Sequence, residues 1–323
     1  MTTPVTRGLL PPTPDSSARS SLWAHRHRRN RKRLSILIGV VARVVTIATV
    51  ALVPVLLVAL VLRSWSLLSA KPVLELFLGT IWLPTDGQFG FAPFLAASVW
   101  VTALSLVIAV PLSILGASYL AEYARPETRD WVKPLVELLA GIPSVVFGLW
   151  GLLVIVPAVR YVALHLRVAN TTGYSVLAAS LVLSIMVTPF LFSLSEEVFR
   201  TVPQGAREAA LSLGATRWET TRDVVWKQTR RGILAVVVLS FGRAFGETLA
   251  VLMVVGNVPK IPLSPLDAGY PLPALIANNF GEMMSVPLYD AALMMAALVL
   301  LVIVVLFNVV ARLTLWRLER HEG

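Results

Sequence analysis

Six stretches of this chain are too long and too apolar to stay in water, and they constrain almost everything else about it. Residues 34–62, 94–119, 135–158, 175–195, 232–256 and 289–314 each meet the requirement of roughly 17–25 predominantly apolar residues for a helix that crosses ~30 Å of hydrocarbon. Inside a bilayer every backbone N–H and C=O must be satisfied without water, which an α-helix does within itself. The expected fold class is therefore all-α, a polytopic membrane protein of about six transmembrane helices. Charged residues make up 14% of the chain, against about 25% in an ordinary soluble domain, which argues against a water-soluble enzyme. Zero cysteines exclude disulfides, thiolate catalysis and Cys-type zinc sites. His25, His27, His165 and His321 are too scattered to form a metal site.

The first 33 residues carry prolines, Ser and Thr and the basic run from His25 to Arg33, with too little apolar surface to offset chain entropy. They are expected to be a disordered tail whose basic run meets anionic lipid. The apolar run 34–62 far exceeds the roughly 7–15 residues of a signal-peptide core, so it is expected to remain as the first membrane helix. Pro111, Pro143, Pro157 and Pro189 fall within spans, where neighbouring groups can satisfy the carbonyls that proline frees. Lys and Arg number 21 across segments 1–33, 120–134, 196–231 and 312–323, but 5 across 63–93, 159–174 and 257–288, with Arg43 and Arg243 inside spans. That alternation predicts a multi-pass protein of the cell membrane with both termini and the loops 120–134 and 196–231 in the cytoplasm. It makes 63–93 an external loop and 317–323 a short cytoplasmic tail. The basic residues are thus spread along the membrane's inner side rather than gathered on a nucleic-acid-binding face.

The loop Thr201-Val-Pro-Gln-Gly-Ala-Arg-Glu-Ala-Ala-Leu-Ser-Leu-Gly-Ala-Thr-Arg-Trp-Glu219 reads as folded. Thr201 with Gln204 fits a capping box, and Gly214 can end the helix in the left-handed conformation. Thr216 with Glu219 fits a second box, so two short helices are expected with a tight turn between them. Ala206, Ala209, Ala210 and Leu213 make a narrow stripe at helical spacing. One reading is a surface helix at the headgroups with Arg200, Arg207 and Arg217 facing phosphates.

The other reading rests on likeness. Glu208-Ala-Ala210 followed by Gly214 resembles the cytoplasmic EAA loop of ABC-importer membrane subunits, over residues 201–227. Tyr119-Leu-Ala-Glu-Tyr123, Gly141-Ile-Pro-Ser-Val-Val-Phe-Gly148, Gly242-Arg-Ala-Phe-Gly-Glu-Thr-Leu-Ala-Val-Leu-Met253 and Ala274-Leu-Ile-Ala-Asn-Asn-Phe-Gly-Glu282 resemble the C-type permease subunit of the phosphate-specific ABC importer. The resemblance implies a type I ABC importer permease fold, with the core at 94–316 and a coupling helix at 202–213. It implies that Arg207, Glu208, Ala209, Ala210, Leu213 and Gly214 meet an ATPase subunit. It also implies three kinds of partner: an A-type permease in a heterodimer, two ATPase subunits carrying ATP and Mg, and an external phosphate-binding protein. No cofactor is expected on this chain.

Arg243 and Glu247 are costly in a span, ~2.5–3.5 kcal/mol each on insertion scales, so each needs protein or water as a partner. At i and i+4 they are expected to share a helix face. Either they form an ion pair that locks helices together, or they meet substrate. In the second case the Arg fork would hold two phosphate oxygens and the carboxylate would accept from a protonated one, which sulfate lacks. The resemblance favours the second, and the candidate pathway is Arg243, Glu247, Thr248 and Ser144. Around Ser144, Gly141, Pro143 and Gly148 break the third span, either as a kink with close packing or as a cavity lining. Asn278, Asn279 and Glu282 are either a solvated turn or a contact for a binding protein. The five lysines follow Arg, Ala, Val, Trp and Pro, so none completes a Walker A motif and ATP is expected on another subunit. An ion-coupled secondary transporter should show a pair of related halves and more acidic or polar residues within its spans, neither of which is seen here. A membrane anchor or sensor would leave the docking-like loop and the Arg243–Glu247 pair without a role.

Overall fold

The computed structural model describes residues 16–166, 172–282, 286 and 288–320, with side chains between positions 38 and 313. It divides into two units, Met1–Val58 and Ala59–Gly323. The first unit contributes most of helix α1 (Ser16–Ala70). That helix begins inside the segment expected to be a disordered tail. Arg, Ala and Leu there are good helix formers, and nothing between Ser16 and Arg33 breaks the helix. Residues 1–15 lie outside the described ones.

After the short α2 (Val73–Leu78), the second unit is built around α3 (Ala92–Glu122) and α7 (Val176–Arg200). Every fourth residue of α3 from Ala97 to Ala117, namely Ala97, Val101, Ser105, Ala109, Ser113 and Ala117, is buried. Small side chains at that spacing let two backbones approach, which is how membrane helices gain packing without a hydrophobic driving force between them. Facing them, α7 buries Val176, Ala179, Ser180, Leu183, Val187 and Leu191. Two serine hydroxyls cross the seam: Ser180 donates to the Val101 carbonyl at 3.3 Å and Ser113 to the Thr188 carbonyl at 3.2 Å.

Between them in sequence lie α4 (Pro126–Ala140), α5 (Ser144–Trp150), a π-helical turn (Gly151–Ile155) and α6 (Val156–His165). The third crossing therefore runs over 144–165 rather than 135–158. Pro143 disfavours helix at the residue before it and offers no N–H, so the chain turns at Gly141–Pro143 and α5 starts afresh. The π turn ends just before Pro157, whose ring cannot follow an ordinary α-helical turn. The amphipathic α4 is left outside the crossing, with Trp131, Leu135 and Leu138 exposed.

Beyond α8 (Gln204–Ser212) and α9 (Arg217–Glu219), a second π-helical turn (Thr220–Val225) leads into α10 (Trp226–Phe245), then α11 (Leu249–Leu252), α12 (Leu272–Asn279) and α13 (Tyr289–Arg320). Among the described residues five helices, not six, are long and apolar enough to cross a membrane: 38–70, 92–122, 144–165, 176–200 and 289–313. The expected span 232–256 is instead two pieces. It begins as α10 among Lys227, Arg230 and Arg231, stops at Phe245, and resumes as α11. Both pieces pack within the bundle, α10 against α3, α7 and α13, and α11 against α5 and α7.

The α5–α11 contact depends on a glycine. A Cβ on Gly148 would stand 2.7 Å from Met253 Sδ and 3.1 Å from Ala250 Cα. Gly148→Ala is expected to push α11 outward and cost about 1–3 kcal/mol, measured as a lower unfolding midpoint in detergent. The segment after α11 folds back over the helix ends: Val176 N–H donates to Asp267 O at 2.8 Å and Leu177 N–H to Pro265 O at 2.7 Å. Asn278 and Asn279, at the end of α12, both donate to the Tyr270 hydroxyl, at 3.1 and 2.8 Å, so they brace this cover, with Asn278 exposed and Asn279 half-buried.

Candidate functional site

The loop after α7 forms two helices, as its punctuation predicts, but the first starts two residues later. Pro203, extended at φ −61° and ψ 140°, occupies the N-cap of α8 and offers no side-chain cap. Thr201 instead closes α7, donating its hydroxyl to Val198 O at 2.7 Å. The expected Thr201–Gln204 box is therefore absent. The second box is present: the Thr216 hydroxyl accepts from Glu219 N–H at 3.3 Å, and the Glu219 carboxylate accepts from Thr216 N–H at 2.8 Å. Thr216 N–H, together with the Thr216 hydroxyl at 2.8 Å from the same carboxylate oxygen, holds the Glu219 carboxyl below the ordinary carboxylate value. Because the folded value is depressed, the contribution is present at neutral pH and disappears as pH falls through that lowered value.

Gly214 sits at φ +88° and ends α8, with Ala215 N–H reaching back to Ala210 O at 3.2 Å. Nothing lies within 4 Å of a Cβ built there, so a side chain would bring backbone strain without a clash. Gly214→Val should cost ~1–2 kcal/mol locally and reorient α8. The check is limited proteolysis after α7, where cleavage of the 204–219 segment should become faster.

The side chains of α8 divide between two directions. Glu208, Ala209 and Leu211 are exposed, as are Leu213 and Gly214 just beyond the helix, with Leu213 at 89% and neighbouring Trp218 at 61%. Ala206, Arg207 and Ala210 face partly inward, so the stripe of small residues is shared between the two sides. Arg207 does not face solvent phosphates. Its Nε and Nη2 donate to Glu122 Oε2 and Oε1 at 3.0 and 2.7 Å, and its guanidinium also reaches the carbonyls of Phe199 and Val202. The Arg207 and Glu122 side chains are only 16% and 8% exposed. The guanidinium thereby ties α8 to the end of α3 and to the α7–α8 connection. Beside it, Glu196 of α7, 4% exposed, pairs with Arg129 of α4 at 3.1 Å and with Arg200.

The pathway candidates are arranged differently from expectation. Gly246 ends α10, so Glu247 lies past the helix and does not share a helix face with Arg243. Among the described residues no ion pair joins the two. Arg243 is exposed in the isolated chain, its guanidinium carbon 4.7 Å from the centroid of the Phe190 ring on α7. Glu247 is half-buried and accepts from Ala250 N–H at 3.5 Å, at the start of α11. Thr248, also half-buried, donates to Gly246 O at 3.3 Å. Ser144 opens α5 and is half-buried. The Gly148 contact joins that helix to α11, so Ser144, Glu247 and Thr248 lie on two packed elements, while Arg243 leans on a third.

Glu122, Glu196 and Arg129 are the residues that sequence reasoning passed over. One signal was available: Glu122 is an acidic residue at the end of an apolar run, where a charge needs a partner. Nothing in sequence says that the partner is 85 residues away.

A family model described as "Binding-protein-dependent transport system inner membrane component" matches residues 109–319. The phosphate transport system permease protein PstC of Xylella fastidiosa is 37% identical over 293 residues, covering 84% of this chain and 90% of its own length. The probable ABC transporter permease protein YqgH of Bacillus subtilis is 38% identical, covering 78% of this chain and 80% of its own. The probable PstC of Methanocaldococcus jannaschii is 30% identical, covering 86% and 94%. Among solved structures, the inward-facing MetNI methionine ABC transporter has a chain of similar fold. Its TM-score is 0.52 at 18% identity, over 71% of this chain and 94% of that one. With the family model matching well over half of the chain and these permeases aligned along most of their length, the chain belongs to the binding-protein-dependent transport system inner membrane components, among the PstC-type permeases.

Proposed function

We propose that this chain is one permease half of an ATP-driven importer of inorganic phosphate, working by alternating access. The observation that carries the proposal is α8. It is a short helix with its root clamped by Arg207 and its outer side, Glu208, Ala209, Leu211 and Leu213, left uncovered, in a chain whose relatives include phosphate permeases. In this reading α8 docks on one of two ATPase subunits, which hold ATP and Mg while this chain binds neither. An A-type permease supplies the other half of the pathway, and a phosphate-binding protein delivers substrate from outside. Both termini and α8 lie on the cytoplasmic side, and α10 with α11 makes a broken sixth crossing.

The mechanism follows from the clamp. Closure of the ATPase subunits displaces α8, and the Arg207 guanidinium passes that displacement to Glu122 of α3, to the Phe199 carbonyl in the last turn of α7 and to the Val202 carbonyl just beyond it. Because α3 and α7 pack through small residues and two interhelical hydrogen bonds, they respond as one body. The break between α10 and α11 sits against α5 and α7, where movement of that body would open or close the path past Arg243, Glu247, Thr248 and Ser144. Broken helices are where membrane transporters place substrate groups, since the freed backbone lines a cavity. The deciding experiment is uptake by the reconstituted complex with phosphate against sulfate. Phosphate uptake that requires ATP and the binding protein is expected, and equal uptake of sulfate would rule out the phosphate reading.

A further inference from the structure

Behind α8, a cavity of about 590 Å³ opens between α3, α4, α7 and the start of α9. Four guanidinium side chains line it: Arg129, Arg200, Arg207 and Arg217. Two carboxylates answer them. Glu122 takes Arg207, Glu196 is divided between Arg129 and Arg200, and Arg217 has no ion pair among the described residues. The cavity wall is therefore left with excess positive charge, with Arg129 and Arg207 partly covered and Arg200 and Arg217 exposed at its mouth.

Two polar atoms of residues that line the cavity are buried without a hydrogen-bond partner. Thr220, 5% exposed, lines the cavity with its hydroxyl unsatisfied, and the Nε of Arg129 is buried and unsatisfied as well. A buried donor without a partner is uncommon in a folded protein and asks for one. Guanidinium groups only donate, and a hydroxyl can donate, so the missing group is a multiple acceptor carrying negative charge. We propose that this cavity binds a tetrahedral phosphate-type oxyanion, either free inorganic phosphate or the phosphodiester of an anionic lipid. Its volume leaves room for an anion with some of its water or its glycerol linkage. The exposed Trp131, Leu135 and Leu138 of neighbouring α4 form an amphipathic face suited to the bilayer interface, which brings headgroups within reach. An anion held by Arg129, Arg217 and Thr220 would brace α4 and α9 against the root of α8, so occupancy bears on the same elements that the Arg207 clamp connects.

The test uses the full chain in nanodiscs, in an Arg243→Met background so that phosphate on the transport path does not contribute. Thermal midpoints are read while inorganic phosphate is titrated against chloride at equal ionic strength, in phosphatidylcholine and in phosphatidylcholine with phosphatidylglycerol. A ligand that binds the folded state raises the midpoint with concentration. A shift caused by phosphate in phosphatidylcholine assigns the free anion, and a shift caused only by phosphatidylglycerol assigns the lipid. Either shift should require about tenfold more ligand in Arg217→Gln and in Thr220→Val. The two variants are read separately, so that one failing to fold leaves the other to decide. No shift with either ligand, or a shift unchanged in both variants, overturns the proposal.

Discussion

Glu122→Gln is expected to destabilise the protein by about 3 kcal/mol and to disconnect ATP hydrolysis from the binding protein. The substitution leaves Arg207, 16% exposed, without its carboxylate, and a nearly buried charge stripped of its partner typically costs about 3–5 kcal/mol. The carbonyls of Phe199 and Val202 remain, which places the expected loss at the lower end. Equilibrium unfolding in detergent measures the first effect, and ATPase stimulation in the assembled complex measures the second. The pair of substitutions Glu122→Leu with Arg207→Met separates them. Removing both charges should restore most of the stability, because two desolvation costs vanish together, while α8 stays untied from α3 and coupling stays lost. If Glu122→Gln unfolds within 0.5 kcal/mol of the parent, the clamp is not the joint described above.

Arg243→Met is expected to lower phosphate uptake by on the order of tenfold to a hundredfold with assembly and stability nearly unchanged. The sequence alone allowed two accounts of Arg243, an ion pair with Glu247 or a contact with substrate. Among the described residues that ion pair is absent, and Arg243 rests on Phe190 with its guanidinium exposed in the isolated chain. Losing an exposed cation–π contact costs only ~0.5–1 kcal/mol, too little to disturb folding. Losing a charge-assisted contact to a bound oxyanion costs ~1.5–3 kcal/mol, which is the rate loss expected. Arg243→Lys keeps the charge but not the planar fork and should fall between the two. Adding Glu247→Leu tests whether the carboxylate matters separately, since its acceptance from Ala250 N–H already gives it a structural use. Wild-type uptake by Arg243→Met would remove this residue from the pathway.

How much of this was legible beforehand depends on the range of the interaction concerned. The helical membrane class, the folded loop after the fourth span, the Thr216–Glu219 box and the left-handed Gly214 are all local matters. Apolar length, side-chain reach over three residues and the tolerance of one glycine are written within a few neighbouring positions. Where two local signals competed, the sequence could not arbitrate. Thr201 was a plausible N-cap, but Pro203, already extended, took that position and left Thr201 to close α7. The third and fifth spans were long enough in apolar residues, yet each is broken. Pro143 resets one helix, and the other stops at Gly246, where α11 resumes against Gly148 of α5.

By itself, then, the sequence determined that this chain is a bundle of membrane helices with a short folded loop displayed outside the bilayer, because desolvating backbone and matching local geometry are short-range requirements. Only the tertiary structure decided that Arg207 turns inward to Glu122, that Glu196 gathers Arg129 and Arg200, and that Arg243 and Glu247 part company. The Arg207–Glu122 and Glu196–Arg129 pairs join different helices and a helix break separates Arg243 from Glu247, whereas Glu196–Arg200 is a local pair four residues apart on α7. Which charge is answered by which depends on the packing of α3 against α7, and that packing is a property of the assembled bundle.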